Sequence, residues 1–463
     1  MNYKKVTDEV IRRLKEIVGD ENVLCEHLMD YGHDETHILD WVPPEVVVKP
    51  KNRTEVSEIL KLANREIIPV TPRGGGTGLS GGAVPIYGGI LLSLERMNRI
   101  LEIDEDNFVA VVEPGVILAE LYKAVEDRGL YYPIYPEEES ATIGGNVATN
   151  AAGMKAVKYG VTRNYIMGLE AVLPNGTVIE TGGKYVKNST GYNLAQLLVG
   201  SEGTLAVVTK IILRLIKRPK KRCYLIPTFE SLGDAISTVP KILKEGIVPV
   251  AIEFMSGIAM QLCQNYTGIK LPIPEAPNYL IIIIESDSEL ELKNLTERVN
   301  AICLNNGASD VFIVDTERDM KKVSEVRAKL HFAVKSLGLE DIGDAVVPRS
   351  KIPEFMNMLG EITRKHGILV SGSGHAGDGN VHFSVIAFGT PKEEFNRKLP
   401  EILEDVFRGS VSLGGTISGE HGIGVAKKKY VPIAIKQEQI ELMRNIKRVF
   451  DPNCILNPGK IFD

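Results

Sequence analysis

The chain has 463 residues, too many for one simple hydrophobic core, so two or three domains are expected. Its 44% hydrophobic and 25% charged residues describe an ordinary globular protein, and a net charge of −6 argues against nucleic acid or an anionic membrane surface as main partner. The 5 cysteines are scattered with no C-x-x-C pair, which excludes an iron–sulfur cluster carried by this chain alone and points to a reducing compartment, the cytoplasm by default.

In chain order, residues 6–18 are predicted as a charged amphipathic helix, so no signal peptide is expected. His33–Asp40 reads as a polar loop carrying His33 and His37. Pro43-Pro44 then introduces a short strand, 45–49. A helix over 54–66 begins at an Asn-Arg-Thr cap and leads into a strand over 67–71, a β-α-β opening. Strands at 90–94 and 108–113 follow, then a helix over 116–129 after Pro114-Gly115. The stretch 131–160 is rich in Gly, Pro, Asn and Ala and is expected to be a long functional loop. The basic run KRPKKR (217–222) reads as a solvated connector and a domain boundary. Beyond it, strands at 223–229, 249–255, 279–285 and 310–316 alternate with amphipathic helices at 230–245, 257–266, 287–306 and 317–338, a second α+β unit. The longest apolar run, Tyr279–Ile284, lies in one of these strands and is far too short to span a bilayer. A helix from Ser350 to Lys365, a strand from Ile368, and helices at 394–409 and 436–449 complete the pattern.

The segment PRGGGTGLSGG (72–82) follows a strand, and Gly76–Gly81 matches G-x-G-x-x-G. A Rossmann site needs a helix opening directly after the glycines, whereas here Ala83-Val-Pro-Ile-Tyr-Gly-Gly leads to another strand. What remains is a loop of consecutive exposed backbone N–H groups, a phosphate-binding nest, with Arg73 and the hydroxyls of Thr77 and Ser80 as further donors.

Two later phrases carry other chemistry. GSGHAGDGNVH (372–382) offers His375 and His382, and SGEHGIG (418–424) offers Glu420 beside His421. Singly, each histidine could cap a turn or sit satisfied in the core. Together, two neutral nitrogens and one carboxylate suit a divalent ion such as zinc, with iron or manganese as further choices and one position open for substrate. His421 is then placed as a base. On the helix predicted over 317–338, Arg327, His331 and Lys335 recur every four residues as one cationic stripe, which is either a solvated face or a carboxylate site.

With these motifs together, the chain resembles the flavoprotein family of the vanillyl-alcohol oxidase type. Within it the resemblance is to the FAD-linked D-2-hydroxyacid dehydrogenases: D-lactate dehydrogenase, the glycolate oxidase flavin subunit and D-2-hydroxyglutarate dehydrogenase. It runs from about Val46 to the C-terminus. The fold it implies is α+β, a two-subdomain FAD-binding domain (1–218, core about 40–216) with an inserted α+β substrate domain (219–420) and a C-terminal segment (421–463) returning to the first. By this resemblance FAD is held by Pro72, Arg73, Gly74, Gly75, Gly76, Thr77, Gly78, Leu79 and Ser80, and by Pro136 with TIGGNVATNAAG (142–153), through Thr142, Gly144, Gly145, Asn146, Thr149, Asn150 and Gly153. Tyr159 of KYG, Glu202, Gly203 and Val207 of GSEGTLAVVT, and Asn457 of LNPGK complete that set. The metal ligands fall on His375, His382 and Glu420, the proton acceptor on His421 and the substrate-carboxylate arginine on Arg327, with His331 as a further substrate contact.

Two departures are informative. IGDAVVP (342–348) carries Ile342 where the 2-hydroxyglutarate enzymes use lysine, and His331 stands where a hydroxyl is expected. A second substrate carboxylate is therefore less well served, which favours a short monocarboxylate, D-lactate first, with glycolate or D-2-hydroxyglutarate as alternatives. The 73–82 loop lacks the histidine to which some relatives attach their flavin, so non-covalent FAD is expected. The resemblance also implies a separate electron acceptor: an iron–sulfur subunit, a quinone, or an electron-transferring flavoprotein, the last including electron-confurcating complexes of anaerobes. Two other readings are a non-redox enzyme similar to alkyl-dihydroxyacetonephosphate synthase, which the metal-type triad disfavours, and a flavin-carrying scaffold subunit.

Overall fold

A computed structural model describes residues 2–36, 42–338 and 340–462; His37 lies outside them. The chain divides into two units. The first comprises Met1–Ala152, Val161–Arg218 and Glu420–Asp463, and the second Gly153–Gly160 and Pro219–Gly419. The break at Arg218/Pro219 falls inside the basic run, but the run is not all solvated connector. Lys221 and Arg222 already belong to the strand Lys221–Phe229, and Arg222 Nη2 lies 3.2 Å from the buried Glu285 carboxylate.

In the first unit the β-α-β reading is realised as a small sheet in the order Val23–Leu24, Val46–Val48, Ile90–Ser93, Val70–Arg73. The strands Val46–Val48 and Val70–Arg73 both pair parallel with Ile90–Ser93, as parallel strands joined by a crossover helix do. That helix, Arg53–Glu66, starts where Asn52 accepts a hydrogen bond from Glu55 N at 3.0 Å. Val56, Ile59, Leu60 and Ala63 repeat at helical spacing and are fully buried against the sheet and the helix Asp8–Val18. Each fully buried aliphatic side chain contributes about 1.5–3 kcal/mol. A second, antiparallel sheet runs Ile100–Asp104, Val109–Val112, Val207–Arg214, Ile166–Val172, Val178–Gly182.

The stretch 131–160 is not structureless. Thr142 accepts from Gly145 N at 3.2 Å and caps a short helix, Ile143–Thr149; a further turn of helix spans Ala156–Tyr159. Gly-Gly-Asn is a poor helical sequence, but Ile143 and Val147 are fully buried. Gly144 lies so close to Pro114 that a Cβ would meet its Cβ at 2.6 Å. Tertiary packing overrides propensity there.

The second unit is built on one antiparallel sheet, in the order Ala308–Val314, Lys221–Phe229, Asn278–Ser286, Ala251–Ser256, Leu369–His375, Asn380–Ile386, Glu340–Val346. The helix predicted over 317–338 is two helices, Glu317–Ala328 and Leu330–Lys335, parted at Lys329 (φ −92°, ψ 7°). Arg327 therefore stands on one helix and His331 with Lys335 on the next, so no single continuous helix carries all three. Among the described residues no helix is long and apolar enough to cross a membrane.

Candidate active site

In the first unit a cleft is walled by every residue from Pro72 to Ser80, by Pro136, Thr142, Gly144, Gly145, Asn146 and Thr149, and by Glu202, Gly203 and Val207. Glu420 and His421 line it as well. No helix follows the glycine loop; the next element is the strand Ile90–Ser93. The glycines are required by close approach: a Cβ on Gly74 would meet Thr142 Oγ1 at 2.3 Å. Asn146 is 3% exposed, and its Nδ2 has no hydrogen-bond partner among the described residues. A buried donor left unsatisfied costs about 1–3 kcal/mol, so a wall of glycine backbone with an orphaned amide fits a polar, phosphate-bearing cofactor such as FAD.

Of the other residues expected at the cofactor, Asn150 does not line the cleft, and Gly153 and Tyr159 belong to the second unit. Asn457 also stands outside the lining. Its Nδ2 donates to Gly82 O at 3.0 Å and Glu202 O at 2.7 Å, so it staples two wall segments together. Asp34 lines the cleft without having been expected there; burial raises its carboxyl and lowers the neighbouring Arg73 guanidinium from their ordinary values.

His421 is placed by its backbone. Ser80 Oγ donates to His421 O at 2.9 Å, and Ser80 O accepts from Val425 N at 2.9 Å. Glu202, itself left-handed (φ 52°), accepts from Ile423 N and Gly424 N, both at 2.7 Å. A Cβ on Gly424 (φ +50°) would meet Ser80 O at 2.0 Å, so only glycine lets this turn approach the loop. The His421 ring is about one-tenth exposed, with Nε2 4.0 Å from Glu420 Oε1. Below the cleft Lys460 donates to Val84 O at 2.8 Å, and burial pulls it down to about 7 against the attraction of Glu202.

The second unit holds the histidine pair. His375 and Asn380 are cross-strand partners at the end of a hairpin, and His382 stands two residues further along, on the same face. The rings meet edge to face with Nε2 atoms 3.1 Å apart. Glu253, the register partner of His375 on the strand Ala251–Ser256, accepts from His375 Nδ1 at 2.6 Å. A carboxylate can only accept, so Nδ1 of His375 carries a proton, and Nε2 is the ring atom turned towards His382. Two imidazole nitrogens each about 2.0–2.1 Å from one ion lie naturally about 3 Å apart, so the pair fits a divalent metal, with Glu253 as the carboxylate behind one ligand. Glu253 Oε2 also accepts from Arg327 Nε at 2.9 Å and from Arg327 Nη2. Burial would raise this carboxyl, but His375 and Arg327 hold it down to about 2.

The buried Asp344 accepts from Ser418 Oγ at 3.0 Å and Gly419 N at 2.6 Å, which fixes the backbone directly before Glu420. Glu253 was not found from the sequence, although a lone carboxylate in the apolar strand AIEFMS is a readable signal, since an acidic residue is seldom fully buried without a partner.

Comparison with known proteins adds family to geometry. Residues 44–182 match the model of an FAD binding domain, and residues 218–461 that of the C-terminal domain of FAD linked oxidases. The D-lactate dehydrogenase of Anaerostipes hadrus is 40% identical over 466 residues, covering 99% of this chain and 98% of the relative. Glycolate oxidase subunit GlcD of Bacillus subtilis is 38% identical over 462 residues, covering 99% and 97%. A solved structure of p-cresol methylhydroxylase with substrate bound superposes with a TM-score of 0.82 at 20% identity, covering 100% of this chain and 98% of that one, a likeness of fold.

Proposed function

The chain belongs to the FAD-linked oxidases, and from that membership we propose that it oxidises a short D-2-hydroxyacid, D-lactate before glycolate, to the 2-oxoacid with FAD and one divalent metal ion. The single observation that carries the metal-assisted reading is the histidine pair, with Nε2 atoms 3.1 Å apart and Nδ1 of one ring held by Glu253. The cleft of the first unit, with its glycine wall and the orphaned Asn146 amide, supports non-covalent FAD.

In this reading His375, His382 and Glu420 hold the ion, for which zinc is the first choice from two nitrogens and an oxygen, with iron or manganese next. A divalent ion there supplies Lewis acidity, lowering the pKa of a substrate hydroxyl. FAD, when bound, supplies the hydride acceptor. The protein's own work is to bind and to move a proton. His421 takes the hydroxyl proton at its imidazole. Arg327 holds the substrate carboxylate, while Glu253 accepts from its Nε and Nη2. His331 is a further substrate contact. Electrons leave to a protein or quinone acceptor, an electron-transferring flavoprotein or an iron–sulfur subunit among proteins, since the cysteine spacing offers no cluster in this chain.

The test is anaerobic bleaching of the flavin band at about 450 nm with a panel of D- and L-2-hydroxyacids. Rapid bleaching by D-lactate or glycolate, and slow or no bleaching by the L-isomer of lactate, is the expected result. A flavin that no 2-hydroxyacid reduces would refute the proposal.

A further inference from the structure

Glu253 is 1% exposed and sits at the centre of its sheet, and it touches neither substrate nor ion in the reaction proposed above. Its two oxygens serve different partners. Oε1 accepts from His375 Nδ1 at 2.6 Å, while Oε2 accepts from Arg327 Nε at 2.9 Å and from Nη2. Each contact removes rotational freedom from a long side chain. His375 is held at its Nδ1, which fixes the tautomer and the aim of Nε2; Arg327 is held along one edge, which fixes the plane of the guanidinium. Both arrangements demand an acceptor at both oxygens, and among neutral or charged side chains of this length only a carboxylate offers that.

We propose that Glu253 is a shared positioning residue, setting metal affinity through His375 and substrate-carboxylate capture through Arg327. The inference rests on the function proposed above. It makes the ligand and the arginine dependent on one side chain, so a single substitution changes two separate binding events.

Glu253→Gln separates the possibilities, because an amide presents one acceptor and one donor. It can serve His375 or Arg327 but not both. In the purified holoenzyme stripped by chelator and titrated with Mn²⁺ or Zn²⁺ alone, the variant is expected to bind metal about 10–100-fold more weakly, the scale for loss of a carboxylate behind a ligating histidine. With metal at saturation, KM for D-lactate is expected to rise by about tenfold or more while FAD content is unchanged.

The double variant Glu253→Gln/Arg327→Met guards against simple misfolding. With no arginine to compete, the amide oxygen is left to His375, and metal affinity is expected to return to within a few-fold of wild type while D-lactate capture stays lost. A merely structural Glu253 would lower the melting temperature and the active fraction together and leave the metal affinity and KM of the folded fraction unmoved; that result overturns the inference. If wild type itself binds neither Mn²⁺ nor Zn²⁺ stoichiometrically, the metal-assisted reading falls and this inference with it. If wild type binds metal and Glu253→Gln binds it equally well, the inference alone falls.

Discussion

Replacing Asn457 with Ala tests how the cofactor cleft is held together. The Asn457 side chain donates to Gly82 O at 3.0 Å and to Glu202 O at 2.7 Å, and its own backbone is left-handed (φ 43°). Alanine removes both donors from a residue that is 2% exposed. Two such hydrogen bonds are worth about 1–1.5 kcal/mol each when the acceptors are left unpaired. Asparagine tolerates the left-handed region better than alanine does, by up to about 1 kcal/mol. The sum is about 2–4 kcal/mol, and for a unit of this size about 2–4 °C of melting temperature accompanies each kcal/mol, a fall of about 4–16 °C. Because Gly82 and Glu202 both line the cleft, flavin retention should fall with stability. Thermal melts and flavin absorbance of desalted protein measure both. Asn457→Gly, which loses the bonds but not the backbone freedom, should be milder than alanine by about 1 kcal/mol. Asn457→Asp, with no donor for either carbonyl, should be no better than alanine. An alanine variant within about 0.5 kcal/mol of wild type, or a glycine variant worse than alanine, would refute the staple.

His375→Ala or His382→Ala should weaken metal binding by at least the 10–100-fold that loss of a carboxylate behind a ligand costs, with FAD still bound; elemental analysis beside the flavin spectrum checks it, and full metal content in either variant counts against the ligand set. His421→Ala should slow flavin reduction by about 10²–10⁴-fold in a single turnover, the usual scale of general-base catalysis, with metal content retained; a wild-type reduction rate would move the base elsewhere, His331 first. Glu170, buried and bonded by Arg53 at 2.5 Å, Thr209 Oγ1 at 2.8 Å and Lys210 at 3.3 Å, has its carboxyl lowered by these partners although burial alone would raise it. Its folded pKa lies below the unfolded one, so its stabilisation is present above about pH 4.3 and is lost as pH falls through the folded value. The melting-temperature gap between wild type and Glu170→Gln should therefore be full at about pH 6–7 and close below about pH 4; a gap that widens towards acid would be inconsistent with a lowered carboxyl.

Much of this protein was legible in its residues because the relevant signals are local. A run of glycines after a strand, with proline and more glycine where a helix would have to start, specifies a loop without a Rossmann helix, since backbone freedom and the absence of Cβ are properties of each residue alone. The helix Arg53–Glu66 was readable from the Asn52 cap and the spacing of its buried residues. His375 and His382 were legible as a pair from the phrase GSGHAGDGNVH, whereas the hairpin that brings their rings together is a pairing of two strands.

What the tertiary structure decided is non-local. The helix Ile143–Thr149 exists in a sequence of poor propensity because Ile143 and Val147 find a core and Gly144 fits against Pro114. Arg327 was expected in a stripe with His331 and Lys335; the chain instead breaks at Lys329, and Arg327 turns to Glu253, a partner 74 residues away in sequence. Asn457 binds Gly82 and Glu202 across 375 and 255 residues of sequence. A side chain's type states which bonds it can make, but which donor reaches which acceptor depends on the packing of distant strands, and that is settled only when the whole core closes.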